Sequence, residues 1–100
     1  MPEIQVLKSG TFETWLTGLR DREAQARVNA RIRRLSLGNP GDVKPVGSGV
    51  SEMRIDYGPG YRVYYAQRAE VVVLLLCGGD KGTQDADIRR AIAMAKDWKG

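Results

Sequence analysis

Two arginines, a phenol and a carboxylate fall within eleven positions of one another at Arg54, Asp56, Arg62 and Tyr64, and Lys81 follows further along the chain. A guanidinium stays ionised at any physiological pH and can grip two oxygens of one anion at once. A tyrosine adds a flat ring and a hydroxyl donor. A lysine partly withdrawn from water has a lowered pKa and can pass a proton near neutrality. Gathered on one surface, such a set suits a phosphodiester.

That surface has to be built by the surrounding pattern. Met53 and Ile55 alternate with Glu52, Arg54 and Asp56, and Val63 and Tyr65 alternate with Arg62 and Tyr64. Period-two alternation predicts two strands with one buried and one wet face. With Gly58-Pro59-Gly60 as the turn, Tyr57 faces Tyr61, Asp56 faces Arg62 and Arg54 faces Tyr64. This register places Arg54, Asp56, Arg62 and Tyr64 on the wet face, and sends Tyr57, Tyr61 and Tyr65 to the other. Val71 to Leu76 lacks alternation, which predicts a strand covered on both sides, opening onto a Gly78-Gly79-Asp80-Lys81 corner.

Elsewhere, residues 3–8 read as a first strand. Thr11 is placed to cap a short helix carrying Phe12, Trp15, Leu16 and Leu19. Asp21 is placed to cap a longer one with the stripe Ala24, Val28, Ile32 and Leu35, ended by Gly38-Asn39-Pro40-Gly41. Residues 39–49 are rich in turn formers and read as a loop. Strands are expected over 50–56, 62–68 and 71–77. Thr83 or Asp85 then caps a last helix with Ile88, Ile92, Ala95 and Trp98 along one stripe. The expected fold is α+β in the order β-α-α-β-β-β-α. It is a small antiparallel-rich sheet with an αα-hairpin on one face and a short C-terminal helix. The whole chain, 1–100, reads as one domain.

Composition narrows the chemistry. The formal net charge of +4 permits a polyanionic partner. There is no histidine and one cysteine, Cys77, which predicts a buried structural thiol and fits a reducing cytoplasm. Without a carboxylate cluster at ligand spacing, no metal or other cofactor is expected. The glycines before Lys81 do not meet the P-loop pattern. The apolar run at Val71–Cys77 is too short to span a membrane, and the N-terminus lacks the charged and apolar regions of a signal peptide.

The ordered set Glu52-Met53-Arg54-Ile55-Asp56-Tyr57-Gly58-Pro59-Gly60-Tyr61-Arg62-Val63-Tyr64-Tyr65, with Leu75-Leu76-Cys77-Gly78-Gly79-Asp80-Lys81, resembles the RelE/ParE superfamily of bacterial toxins. Within it, the set is most similar to the HigB-like addiction module killer branch, and the likeness extends over nearly the whole chain. The resemblance implies a type II toxin: an endoribonuclease that cuts mRNA in the ribosome and is held inactive by an antitoxin, a small helix-turn-helix protein. Two alternatives stay open, a ParE-like gyrase poison and a binding-only blocker of ribosomal RNA.

For RNA cleavage, a base frees the ribose 2′-oxygen to attack phosphorus, an acid protonates the leaving 5′-oxygen, and cations stabilise the phosphoryl charge. Arg62 and Arg54 are the candidates for holding the phosphate; the alternative is pairing with Asp56 or Glu52. Lys81 is a proton shuttle or a turn residue, and Asp80 either orients it or caps the turn. Tyr64 is placed to stack on a base or to donate a proton. Lys44, Arg27, Arg31 and Arg34 are candidates for RNA phosphates, against a solvated surface as the bland reading. Better-known relatives carry histidine or tyrosine near the C-terminus, and this chain does not, so the general base and acid stay open.

Overall fold

The computed structural model describes residues 4–69 and 72–98. Glu3 and Val71, assigned from sequence to the first and last strands, lie outside the described residues. The elements run β1 (Gln5–Lys8), α1 (Gly10–Thr17), α2 (Arg22–Ser36), β2 (Val43–Gly47), β3 (Val50–Ile55), β4 (Tyr61–Arg68) and β5 (Val72–Gly79), then a 3-10 turn (Lys81–Thr83) and α3 (Gln84–Asp97). The strands form one sheet in the order β1-β5-β4-β3-β2. Among the described residues only the β1–β5 pair is parallel. The expected α+β class holds, with two changes. Residues 43–47, assigned to a loop, form the edge strand β2, because an antiparallel edge tolerates Pro45 where a central strand would not. The last helix is not short, running for 14 residues.

Helix starts follow side-chain chemistry. Ser9, rather than Thr11, caps α1: its Oγ accepts from the Phe12 N–H at 2.9 Å and donates to the Leu76 carbonyl at 2.6 Å. Asp21 caps α2 as expected, accepting from Glu23 N–H at 2.9 Å and Ala24 N–H at 3.3 Å. At the other end of the fold, Arg68 donates to the Ala95 and Trp98 carbonyls at 3.0 and 3.1 Å, closing the C-terminus of α3.

The sheet is covered on both faces. Phe12 and Leu16 of α1 and Val28, Ile32 and Leu35 of α2 pack on Met53, Ile55, Val63, Tyr65, Val73 and Leu75. Ala91 and Ala95 of α3 pack on Val50, Tyr64, Ala66, Leu76 and Cys77 on the opposite face. The face predicted to be wet therefore lies partly beneath α3. A bulge at the β4–β5 pairing, where Tyr64 opposes Cys77 but Tyr65 opposes Leu75, turns both Leu76 and Cys77 toward α3. This bulge and the double cover account for the missing alternation in β5.

Two glycines let the helices close on the end of β5. The strand runs through Gly78 and Gly79 rather than stopping before them. A Cβ on Gly78 would overlap the Trp15 ring, and one on Gly79 would overlap the Asp87 carboxylate and lie 2.9 Å from Thr83 Oγ1.

The β3–β4 hairpin differs from expectation in register. Arg54 opposes Arg62, Glu52 opposes Tyr64, and Ile55 opposes Tyr61, so the connection holds five residues, 56–60. Tyr57 lies in this connection, its hydroxyl donating to Asp21 at 2.8 Å, and Gly58 and Gly60 take positive φ of 58° and 82° to close the loop. The slip is two residues, so parity is preserved and the arginines keep their face.

Candidate functional site

Arg54 from β3 and Arg62 from β4 stand opposite each other, and Lys81 begins the turn after β5. The three converge on a cleft of about 310 Å³, with Asp42, Ile55, Asp56 and Gly60 completing its wall. Gly60 permits the approach: a Cβ there would lie 3.1 Å from Arg62 Nη1 and 3.5 Å from Lys81 Cβ. Arg62 Nη1 donates to the Gly60 carbonyl at 2.9 Å, so the hairpin loop itself orients that guanidinium. On β5 the partner of Arg62 is Gly79, which leaves no side chain beside it.

Beneath the arginines lies Glu52, fully buried. Its carboxylate accepts from Arg54 Nε at 3.2 Å, Tyr64 hydroxyl at 3.0 Å and Gln84 Nε2 at 2.8 Å, and Arg62 Nε lies 3.9 Å away. Burial pushes the Glu52 pKa up, but the bonds from Gln84, Tyr64 and Arg54 and the Arg62 charge outweigh it and hold the carboxyl below its usual range. The pairing of both arginines with Glu52, one of the two readings open from sequence, is thus present. A single buried carboxylate does not neutralise two guanidiniums, and Arg54 remains 37% exposed while Arg62 is 13% exposed. Asp42 and Asp56 are exposed at the rim, where water screens them.

Several expected residues sit differently. Tyr64 shares the arginines' face but is fully buried under α3, so its ring has no surface for a base. Burial and the Glu52 charge raise its pKa, which keeps the hydroxyl a donor. Asp56 lies in the hairpin loop, not opposite Arg62, yet still reaches the cleft. Asp80 caps the 3-10 turn, accepting from Gly82 N–H at 2.8 Å, so its bond serves the turn rather than Lys81. Lys81 is exposed. Lys44 belongs to β2 instead of a loop, where it opposes Glu52 and is exposed. The sequence reading offers Glu52 only as an ion-pair partner of the arginines and does not place Gln84 or Asp42 in the site. The sequence signal for Glu52 is its parity with Arg54, which it shares with Asp56.

On α2, Arg27, Arg31 and Arg34 do share one shallow groove with Ile55 and Asp56. Arg31, expected to face phosphates, instead donates to the carbonyls of Arg54, Pro40 and Asp42 and braces the start of β2 against β3. Arg27 pairs with Glu23 at 3.1 Å and lies 4.6 Å from the Tyr57 ring centroid. Arg34 is exposed. Cys77 is buried as expected, and burial pushes its thiol up to about 11. Among the described residues no cluster of three or more potential metal ligands occurs, and no helix is long and apolar enough to cross a membrane.

A five-stranded sheet with a helical hairpin on one face, a helix on the other and a cationic cleft at the strand ends is consistent with a RelE-like α+β protein. The chain matches the family described as phage-derived Gp49-like proteins over residues 14–99 and belongs to that family, which lies within the RelE/HigB-like toxins. An uncharacterized protein of Haemophilus influenzae is 51% identical over 94 residues, covering 94% of this chain and 95% of its own.

Proposed function

We propose that this protein is the toxin of a type II toxin–antitoxin module and that it arrests translation by cutting mRNA in the ribosome. The observation that carries this reading is the convergence of Arg54, Arg62 and Lys81 on one cleft. Its volume of about 310 Å³ is at the lower end for ligand sites, suited to a phosphodiester and part of its sugars.

In this reading Arg54 and Arg62 hold the two non-bridging oxygens of the scissile phosphate. They gain most when charge builds on those oxygens as the 2′-oxygen attacks phosphorus. The P–O5′ bond breaks, leaving a 2′,3′-cyclic phosphate and a 5′-hydroxyl. Lys81, Asp42 and Asp56 are the remaining titratable groups on the cleft wall, so removing the 2′-proton and supplying one to the 5′-oxygen fall to this set. Tyr64 acts through Glu52 rather than on the substrate. Arg34 and Lys44, both exposed, track flanking phosphates, and the partner that silences the cleft is a small helix-turn-helix antitoxin.

Purified protein at high concentration, incubated with a short single-stranded RNA in EDTA, tests this chemistry. Cutting that yields a 2′,3′-cyclic phosphate, and fails when the ribose at the cleaved position is 2′-deoxy, is the expected result. Cutting that stops in EDTA and returns with one specific metal would overturn the mechanism.

A further inference from the structure

Burying a carboxylate withdraws it from water, and it persists in a fold only where donors replace the lost hydration. Glu52 has such donors from three elements: Arg54 on β3, Tyr64 on β4 and Gln84 at the first residue of α3. Arg62 Nε, also buried and without a hydrogen bond, lies 3.9 Å from Oε2, the oxygen that accepts from Tyr64 and Gln84. Arg54 and Arg62 are direct cross-strand partners, an arrangement of like charges that is unfavourable by itself. Glu52 lies next to Arg54 on the same strand face, where one negative charge reaches both guanidiniums. It takes the Nε side of Arg54 and leaves that group's terminal nitrogens for a ligand.

We infer that Glu52 is the positioning residue of the cleft. It touches no substrate; it fixes Arg54 and Arg62 at the separation a phosphate needs and, through Gln84, ties the start of α3 to them. With its oxygens already engaged by three donors, it is not the base. The inference deepens the ribonuclease reading, and its catalytic half rests on that reading; the ordering of the arginines does not.

Three roles for Glu52 predict different outcomes when it is replaced by glutamine. If its charge merely opposed the anion, Glu52→Gln would tighten phosphate binding and leave turnover intact. If it merely stabilised the fold, the folded fraction would fall with kcat and KM of the folded protein unchanged. Positioning predicts a fall in kcat with KM unchanged or lower, because misplacing charge-stabilising groups by about an ångström costs on the order of a hundredfold in rate.

The experiment uses the full chain labelled with ¹⁵N, with folding checked by circular dichroism. Arginine Nε–H signals and their heteronuclear relaxation report side-chain order, and cleavage of a short RNA reports turnover. In Glu52→Gln the Arg54 signal should become mobile and kcat should fall about 10- to 100-fold. Should that variant unfold, Gln84→Ala keeps the carboxylate and removes one tie, with a smaller loss in the same direction. Arginines as ordered in a folded variant as in the wild type would overturn the inference, as would an unchanged kcat. If the wild type cuts no RNA, the ribonuclease reading fails, and the relaxation of Arg54 and Arg62 alone decides whether Glu52 positions them.

Discussion

Tyr64→Phe removes one oxygen atom from the interior and isolates what that atom does. The hydroxyl donates to Glu52 Oε2 at 3.0 Å, and both residues are wholly buried. No water reaches the site to replace the donor, and the ring stays to fill its space. The loss is that of a hydrogen bond to a buried charge, about 1.5–3 kcal/mol at neutral pH. A pH dependence follows from the same bond. The folded Glu52 carboxyl sits below its usual value of 4.5, so its stabilisation is complete above that value and fades as pH falls through the lower, folded pKa. Tyr64→Phe raises the folded pKa, so acid unfolding begins at a higher pH than in the wild type. Once Glu52 is protonated only a neutral bond is missing, and the penalty shrinks to about 0.5–1.5 kcal/mol. Urea titrations followed by circular dichroism, at pH 7 and in steps to pH 3, read both effects. A penalty below about 0.5 kcal/mol at pH 7, or one constant across the series, would show that the hydroxyl is not bonded to a charged, buried carboxylate.

Three further outcomes are expected. Gly79→Ala forces a methyl group against Asp87 and Thr83 and should destabilise the fold by at least about 1–3 kcal/mol in urea, whereas Gly10→Ala, with open space around it, should not. Arg31→Ala strips donors from three backbone carbonyls and should lower the thermal midpoint by several degrees, about 1–3 kcal/mol, while Arg34→Ala leaves it unchanged and weakens ribosome association with a reduced salt slope in sedimentation. Lys81→Ala, at an exposed position, should leave urea stability within about 0.5 kcal/mol of wild type yet slow RNA cleavage at least tenfold; normal cleavage by that variant would make Lys81 a turn residue.

Alternation in β3 and β4 carried most of what was legible. It assigned Met53, Ile55, Val63 and Tyr65 to a buried face, which is the one the helical hairpin covers, and parity alone put Arg54, Arg62 and Tyr64 on the other, which the slipped register did not disturb. The stripe on α2 and its Asp21 cap were equally plain, because both depend on neighbours within one helix. Long-range packing decided the rest. Polar residues on the second face looked like a wet surface, but α3 lies over Glu52 and Tyr64, and a polar side chain can be buried once its donors are satisfied. The stripe of α3 required some apolar partner, yet nothing local showed that the partner was this face. Arg31 could not be told from Arg34 by sequence either, since the carbonyls that capture it come from β3 and the loop before β2. The turn formers at 39–49 hid an edge strand because edge pairing asks little of its residues.

The central claim is that the cleft of Arg54, Arg62 and Lys81 cuts mRNA. Mapping the 5′ ends of cellular transcripts after brief induction, for the wild type and for Arg62→Ala at equal folded levels, tests it most directly. Loss of one such charge-stabilising group typically costs about 2.7–4 kcal/mol, on the order of a hundred- to a thousandfold in rate. New ends inside translated regions with the wild type, and their disappearance in Arg62→Ala, are the predicted result. Growth arrest by the wild type with no new ends, accompanied by a DNA-damage response or by none, would contradict the account, and so would a folded Arg62→Ala that cuts as the wild type does.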